Sequence, residues 1–191
     1  MKRSWRFGRG FAAVLVACAL IATAVGWNHL RREQRASNER FACAMLKTLA
    51  TANAQFRGDD LDRNGVQDYW TADVAGLHHL LPPGESTPLR LIEEKIASAD
   101  PTRAGAKAAA GYWFRAIERD ETGAPYAGPG STGRNRGKFG FCAYPAEYGR
   151  TGIHTFMINE GNTVFKQDLK GEPKRQWPPD AELKFQYSLI D

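Results

Sequence analysis

The stretch NHLRREQRASNERFACAMLKTLATANAQF, residues 28–56, contains neither glycine nor proline and decides the fold. Apolar residues recur in its second half at every third or fourth position: Phe41, Met45, Leu46, Leu49, Ala52 and Phe56. That spacing places them on one face of an α-helix. The first half of the stretch is polar all round and is expected to stand in solvent. We therefore predict an amphipathic helix that packs one face on a domain and ends at Gly58.

The segment before this helix is FAAVLVACALIATAVGW, residues 11–27, which has no charged side chain. As a helix it would span about 25 Å, near the lower limit for crossing a bilayer. It follows MKRSWRFGRG, residues 1–10, whose four Lys/Arg residues are typical of the start of a membrane-targeting segment. We predict a transmembrane signal-anchor helix here, continuous with the amphipathic helix.

Two other fates of the segment stay open. Cleavage after ATA, residues 22–24, would fit the small-x-small pattern of a signal-peptidase site. LVAC, residues 15–18, would allow lipidation of Cys18, although the apolar ALIATAV follows where lipoproteins usually turn polar. All three fates place the body outside the cytoplasm. We expect a single-pass protein of the cell inner membrane with its C-terminal domain in the periplasm.

The chain is accordingly divided into four parts: a basic cytoplasmic segment 1–10, the anchor 11–27, the amphipathic helix 28–57 and an extracytoplasmic domain 58–191.

The positive charge of the chain belongs to its N-terminal arm. Residues 1–40 hold 8 Lys/Arg and 2 Asp/Glu, whereas residues 41–191 hold 18 and 19. Because nucleic-acid binding needs clustered basic residues on the folded body, we expect no nucleic-acid partner. The expected partners are the inner membrane, through the N-terminal helix, and proteins of the envelope or of a secretion system.

The segments after the helix predict an antiparallel sheet. AGYWFRAIERD (110–120) and KFGFCAYPA (138–146) alternate as half-buried strands do, and GIHTFMINEGNTVFKQDL (152–169) reads as a hairpin with its turn at 160–162. TADVAGLHHLL (71–81) is predicted as a short helix or a turn, and LRLIEEKIASAD (89–100) as a helix. Helix first and antiparallel sheet second make an α+β fold.

This order resembles type IV pilins and the pseudopilins of type II secretion, in which a membrane-anchored helix packs on an antiparallel sheet. SNERFACAMLKTLATANAQFRGDDLDRNGVQDY (37–69) is similar to the helix-end segment of pilin-like proteins from planctomycetes and related bacteria. GYWFRAI (111–117), FCAYPAEYGRTGIHTFMINEGNTVFKQDL (141–169) and WPPD (177–180) resemble a bacterial exported family of unknown function.

The resemblance implies a pilin-like fold and a role in protein–protein interaction within an envelope or secretion assembly. Pilins carry a glutamate at the fifth position after their cleavage site. If Gly10–Phe11 were that site, Leu15 would occupy the position, so the resemblance does not imply filament assembly. The alternative function is a stand-alone periplasmic domain that binds a small ligand or calcium.

The stretch DDLDRNGVQDYW, residues 59–70, has the spacing of a calcium loop. EF-hand and dockerin-type loops need oxygen ligands at positions 1, 3 and 5, glycine at 6, a backbone carbonyl at 7 and acidic ligands at 9 and 12. Counting from Asp60 gives Asp60, Asp62, Asn64, Gly65, Val66 and Asp68, with Thr71 at position 12. The favoured interpretation is a polar turn in which Asp and Asn bond their own backbone. The alternative is a calcium site formed by Asp60, Asp62, Asn64, Val66 and Asp68, with Ca²⁺ as the candidate cofactor.

The remaining residues that could form a disulfide or bind a metal ion are cysteines and histidines. In an oxidising compartment Cys43 and Cys142 are expected to pair, the alternative being two separate buried thiols. His78 and His79 are adjacent, and adjacent residues point apart on a helix, so they are not expected to share a metal ion. No GxSxG, HExxH, P-loop or CxxC motif occurs, and we do not predict an enzyme.

Overall fold

The computed structural model describes residues 5–127, 133–186 and 188–190, with side chains for residues 26–127 and 133–183. Most of the predicted anchor, residues 11–25, and the lipidation candidate Cys18 therefore lie outside the described side chains. Among the residues whose side chains are described, no helix is long and apolar enough to cross a membrane.

A single helix of 54 residues, α1 (Trp5–Gly58), forms the spine of the molecule. At 1.5 Å per residue it is about 80 Å long. The predicted apolar face is buried, with Leu46, Leu49 and Phe56 nearly inaccessible to solvent. Residues 26–34 of the same helix are exposed. The prediction of one continuous helix ending at Gly58 is confirmed.

The helix packs on a five-stranded antiparallel sheet, and the α+β prediction is confirmed at this level. The strands of this sheet, in the order in which they neighbour one another, are β2 (Tyr112–Ala116), β4 (Gly140–Pro145), β5 (Thr155–Asn159), β6 (Val164–Gln167) and β7 (Ser188–Ile190). β5 and β6 form the predicted hairpin. Strand β4 and its neighbour β5 lie against α1.

The two faces of the sheet have separate apolar cores because side chains alternate along a strand. Phe114, Ala143 and Phe156 are opposite one another in register on β2, β4 and β5, and all three are buried in the cluster that includes the helix face. Cys142 and Met157 face the other way and pack with Trp177 in a smaller cluster.

This alternation explains why the predicted disulfide is wrong. Cys43 and Cys142 are both free. Cys43 packs on the helix-side cluster, whereas Cys142 is buried in the cluster on the opposite face of the sheet. Burial raises the pKa of Cys43 to about 11 and that of Cys142 to about 12, so both thiols stay protonated and unreactive at neutral pH.

The segment between the helix and the main sheet is more irregular than predicted. A two-stranded ladder pairs β1 (Tyr69–Trp70) with β3 (Arg134–Asn135). The short helices are α2 (Gly76–His79), α3 (Glu94–Ala97) and α4 (Asp180–Gln186). The helix predicted over residues 89–100 is reduced to the single turn of α3.

The reason for this shortening is a backbone ladder before α3. Leu89 N donates to Leu80 O at 3.0 Å and Leu91 N donates to Leu77 O at 2.8 Å. Arg90, between them, has a φ of 53°. These bonds hold the residues before α3 in an extended conformation against α2, which makes a hairpin of the two segments. Part of the apolar spacing that suggested a longer helix belongs to this hairpin.

Candidate functional site

The acidic loop lies where α1 ends and β1 begins, so it joins the spine to the body. Gly65 takes a φ of 77°, as the sixth position of a calcium loop requires. Its backbone N–H donates to Asp60 Oδ2 at 3.0 Å, which closes the turn from the first to the sixth position. The sharp turn that the sequence predicts at Gly65 is confirmed.

The loop is held to the helix by a buried asparagine that the sequence analysis missed. Asn53, on α1, is fully buried. Its Nδ2 donates to Trp70 O at 3.0 Å, and its Oδ1 accepts from Trp70 N at 2.8 Å. This pair of bonds fixes β1, and with it the end of the loop. The signal was available: Asn53 stands beside the apolar positions Ala52 and Phe56 on the buried stripe.

Two of the acidic side chains point inward. Asp62 and Asp68 are 9% and 7% exposed. Burial raises the pKa of Asp68, and the neighbouring charge of Asp62 adds to the rise, while a hydrogen bond from Asn64 opposes it. Carboxylates that are crowded and desolvated in this way are stabilised by a nearby cation.

Arg134 of β3 supplies a positive charge next to these two carboxylates. Its Nε donates to Asp62 Oδ2 at 2.6 Å but lies 3.9 Å from Asp68 Oδ1, beyond hydrogen-bonding distance. The guanidinium also stacks over the ring of Trp70, 4.0 Å from its centroid. Arg134 therefore compensates Asp62 well and Asp68 weakly.

Several oxygens of the loop are left without a protein donor. Four side-chain oxygens are buried and accept no hydrogen bond from the described residues: Oδ1 of Asp60, of Asp62 and of Asp68, and Oγ1 of Thr71. These residues occupy positions 1, 3, 9 and 12 of the loop. Buried acceptors without partners are costly and call for an explanation. The ligand oxygens of Asp60, Asp62 and Asp68 do not all lie within 4.8 Å of one another in this structure, so a hard cation that prefers oxygen ligands could satisfy them only if the loop tightened around it.

The side chain of Asn64 and the backbone of Val66 are held by hydrogen bonds within the loop, as in a loop that binds no cation. Asn64 Nδ2 donates to Asp62 Oδ2 at 3.0 Å and to Asp68 Oδ2 at 3.4 Å. Asn64 Oδ1 accepts from Val66 N at 2.7 Å, the local turn that the polar-turn interpretation requires. Metal ligation by Asn64 would need its amide to rotate, so the turn and the calcium site use the same residues in two arrangements.

Comparison with known proteins gives one match. No curated protein and no solved structure matches the chain. The model of the family described as "Protein of unknown function (DUF2950)" matches residues 21–178. This match includes the packed half of α1, the acidic loop and the first four strands of the main sheet. Because it covers most of the sequence, the chain belongs to the DUF2950 family.

Proposed function

We propose that the chain is a membrane-anchored, extracytoplasmic domain of pilin-like architecture that acts through protein–protein interaction in an envelope or secretion assembly. The observation that carries the proposal is the course of α1. Its residues 38–56 pack on the body, while its residues 26–34 are exposed, with Asn28, Arg31 and Arg32 lining an open pocket beside Gly149 and Arg150 of the body. The exposed part leads directly into the uncharged sequence of residues 11–25.

The side chains at the junction support this placement. Trp27 is 59% exposed and Leu30 is 63% exposed. The guanidinium of Arg31 lies 5.3 Å from the centroid of the Trp27 ring. Tryptophan and arginine next to an apolar run are typical of the interface between a bilayer and water. We infer that this part of α1 stands at the membrane surface, where neighbouring helices would meet it.

Site-specific photocrosslinking in intact membranes tests the interaction role. A photoreactive residue at Leu30 is expected to capture one recurrent protein neighbour, because this side chain is 63% exposed. The matched control is the same residue at Lys47, which is also exposed on α1 but lies within the part of the helix that packs on the body. Uncrosslinked monomers at Leu30, under conditions where the full chain is anchored, would contradict an assembly role.

A second function is favoured by the four unpartnered oxygens of the acidic loop: calcium binding by a stand-alone domain. Extracellular modules of this loop type bind calcium with dissociation constants of about 0.1–1 mM. The neutral Thr71 at position 12, in place of a bidentate glutamate, predicts affinity at the weak end of that range.

Calcium titration by calorimetry, with Asp60→Asn as the test variant, examines this function. Asparagine can still accept the hydrogen bond from Gly65 N, so the turn persists while the charge at position 1 is lost. We expect the wild type to bind one calcium ion and the variant to bind at least about tenfold more weakly. Asp59→Asn, the same change at the exposed neighbour, is expected to bind as the wild type does. Equal titrations of all three chains would rule out the loop as the site.

A further inference from the structure

A cluster of two histidines and a glutamate lies between α2 and α3, separate from the acidic loop. Glu94 Oε2 is 2.9 Å from His78 Nε2 and 3.3 Å from His79 Nε2. The three potential ligand atoms all lie within 4.8 Å of one another. Within residues 26–127 and 133–183, it is the one group of at least three His, Cys, Asp or Glu side chains with such spacing.

The expectation that the adjacent histidines point apart is wrong here. α2 is only one turn long, and both rings reach from it toward α3, with their centroids 4.7 Å apart. The backbone ladder described above, in which Arg90 N also donates to His78 O at 3.2 Å, brings the start of α3 against α2. The convergence therefore follows from the hairpin that replaced the predicted longer helix.

Two of the three side chains are oriented by outer partners. His78 Nδ1 is 2.6 Å from Ile92 O and donates to this carbonyl, which in the neutral ring leaves the lone pair on Nε2. Glu94 Oε1 accepts from Ser98 Oγ at 3.0 Å, which leaves Oε2 for the histidines. Ligating histidines and carboxylates in metal sites are held by this kind of second hydrogen bond.

The third side chain offers an unused atom. His79 Nε2 is buried and makes no hydrogen bond within the described residues, although it is 3.3 Å from Glu94 Oε2. An aligned histidine–carboxylate ion pair would have used this nitrogen. A metal ion placed between the three side chains would use all of them.

The two distances from Glu94 Oε2 are close to those of a small tetrahedral ion, and the two histidine nitrogens lie within 4.8 Å of each other. Metal–ligand bonds of about 2.0–2.1 Å in a tetrahedron place neighbouring ligand atoms about 3.3–3.4 Å apart. The two measured distances from Glu94 Oε2, 2.9 and 3.3 Å, require only a small outward shift of His78 or Glu94. Imidazole ligands favour zinc and similar transition metals over calcium, which prefers six to eight oxygens.

We propose that His78, His79 and Glu94 form a second metal site, selective for Zn²⁺ and similar divalent transition ions, that ties α2 to α3. Three protein ligands leave a fourth position for water. Glu94 is 60% exposed, so the site is open to an ion from solution. This inference is independent of the proposed function and of the acidic loop.

The test is a competition titration of Zn²⁺ against a chromogenic chelator, with tag-free full-length chain in detergent. We expect one equivalent of zinc to bind, and Glu94→Gln or His79→Gln to weaken binding at least about 100-fold, since each removes a ligand. Both side chains lie at least partly exposed, and circular dichroism checks that the variants fold.

Glu93→Gln is the matched control, because Glu93 is an exposed neighbour whose carboxylate pairs with Lys95 and not with the histidines. It should bind zinc as the wild type does. The metal should raise the melting temperature of the wild type and of Glu93→Gln but not of Glu94→Gln. Absence of zinc binding to the wild type, or equal binding by Glu94→Gln, would show that the cluster is only a histidine–carboxylate ion pair and overturn the proposal.

Discussion

At the scale of single residues, Asp68 links the acidic loop to pH. Its folded-state pKa is raised, chiefly by burial, above the unfolded value of about 3.9. A raised acid pKa means that the folded protein gains stability from protonating Asp68, and that this gain is lost as the pH rises through the folded pKa. At neutral pH the ionised Asp68 therefore lowers the free energy of unfolding unless a cation compensates it.

Asp68→Asn is expected to raise the stability of the calcium-free protein at pH 7, because it removes a poorly compensated buried charge. The advantage over the wild type should disappear as the pH falls through the folded pKa of Asp68 and below about 4. Urea unfolding across this pH range measures the difference. A variant that is less stable than the wild type at pH 7 without calcium would contradict this account of Asp68.

Calcium should reverse the order of stability, so that the wild type becomes more stable than Asp68→Asn. At a concentration ten times the dissociation constant, calcium stabilises the wild type by about 1.4 kcal/mol, or a melting shift of about 3–5 °C for a chain of this size. Asp68→Asn should show no shift, whereas the exposed Asp59→Asn should shift as the wild type does. Equal shifts in all three would place calcium elsewhere.

The loop also shows which parts of a site can be inferred from sequence. Asp60, Asn64 and Gly65 are close in the chain, so their spacing predicts the turn directly. Arg134 reaches Asp62 from 72 residues away, and nothing in the local pattern predicts that contact. Histidines 78 and 79 were judged by the geometry of an ideal helix, which a single turn does not impose.

At the scale of elements, the packing of α1 on the sheet carries the fold. The regular spacing of apolar residues predicted the buried face of the helix because that face is a local property. The alternation in KFGFCAYPA likewise predicted β4. The same alternation places Phe141 and Ala143 on the helix side of the sheet and Cys142 on the other side. It therefore argues against a disulfide between Cys142 and Cys43 of the helix.

Elements that depend on distant partners were not predicted. The ladder of β1 with β3 joins segments more than 60 residues apart, each only two residues long. Such short strands have no periodicity of their own and exist because Asn53 and Arg134 hold Trp70 from both sides. The turn of α3 is short for a similar reason, since backbone bonds to α2 compete with helix formation.

Leu49→Ala is the prediction for this scale. Leu49 is fully buried between α1 and the body, so its truncation should lower the free energy of unfolding by about 2–5 kcal/mol. Leu30→Ala, the same change on the same helix at a 63% exposed site, should change it by less than about 0.5 kcal/mol. Urea unfolding of the detergent-solubilised chain compares them. Similar losses in the free energy of unfolding would mean that this face of α1 does not pack on the body.

At the scale of the whole molecule, we propose that α1 lies partly in a bilayer and partly in the folded body. A continuous α1 couples the two, because an uninterrupted helix transmits the orientation of its exposed end to the sheet. The acidic loop and the His78–His79–Glu94 cluster both follow α1 in the chain, and α3 packs beside Phe41 of that helix, with Lys95 Nζ 5.4 Å from the centroid of the Phe41 ring. We propose that the folded body carries these metal sites while the exposed part of α1 carries the contacts with partners.

The most direct test of anchoring is membrane fractionation combined with protease accessibility in cells that express the full chain. We predict that the chain stays in membranes washed with alkaline carbonate. Protease added to spheroplasts should degrade the body, residues 58–191, while a cytosolic marker remains intact. A chain recovered in soluble form from the cytosol or the periplasm, or a membrane-bound chain whose body is protected from protease, would contradict the account.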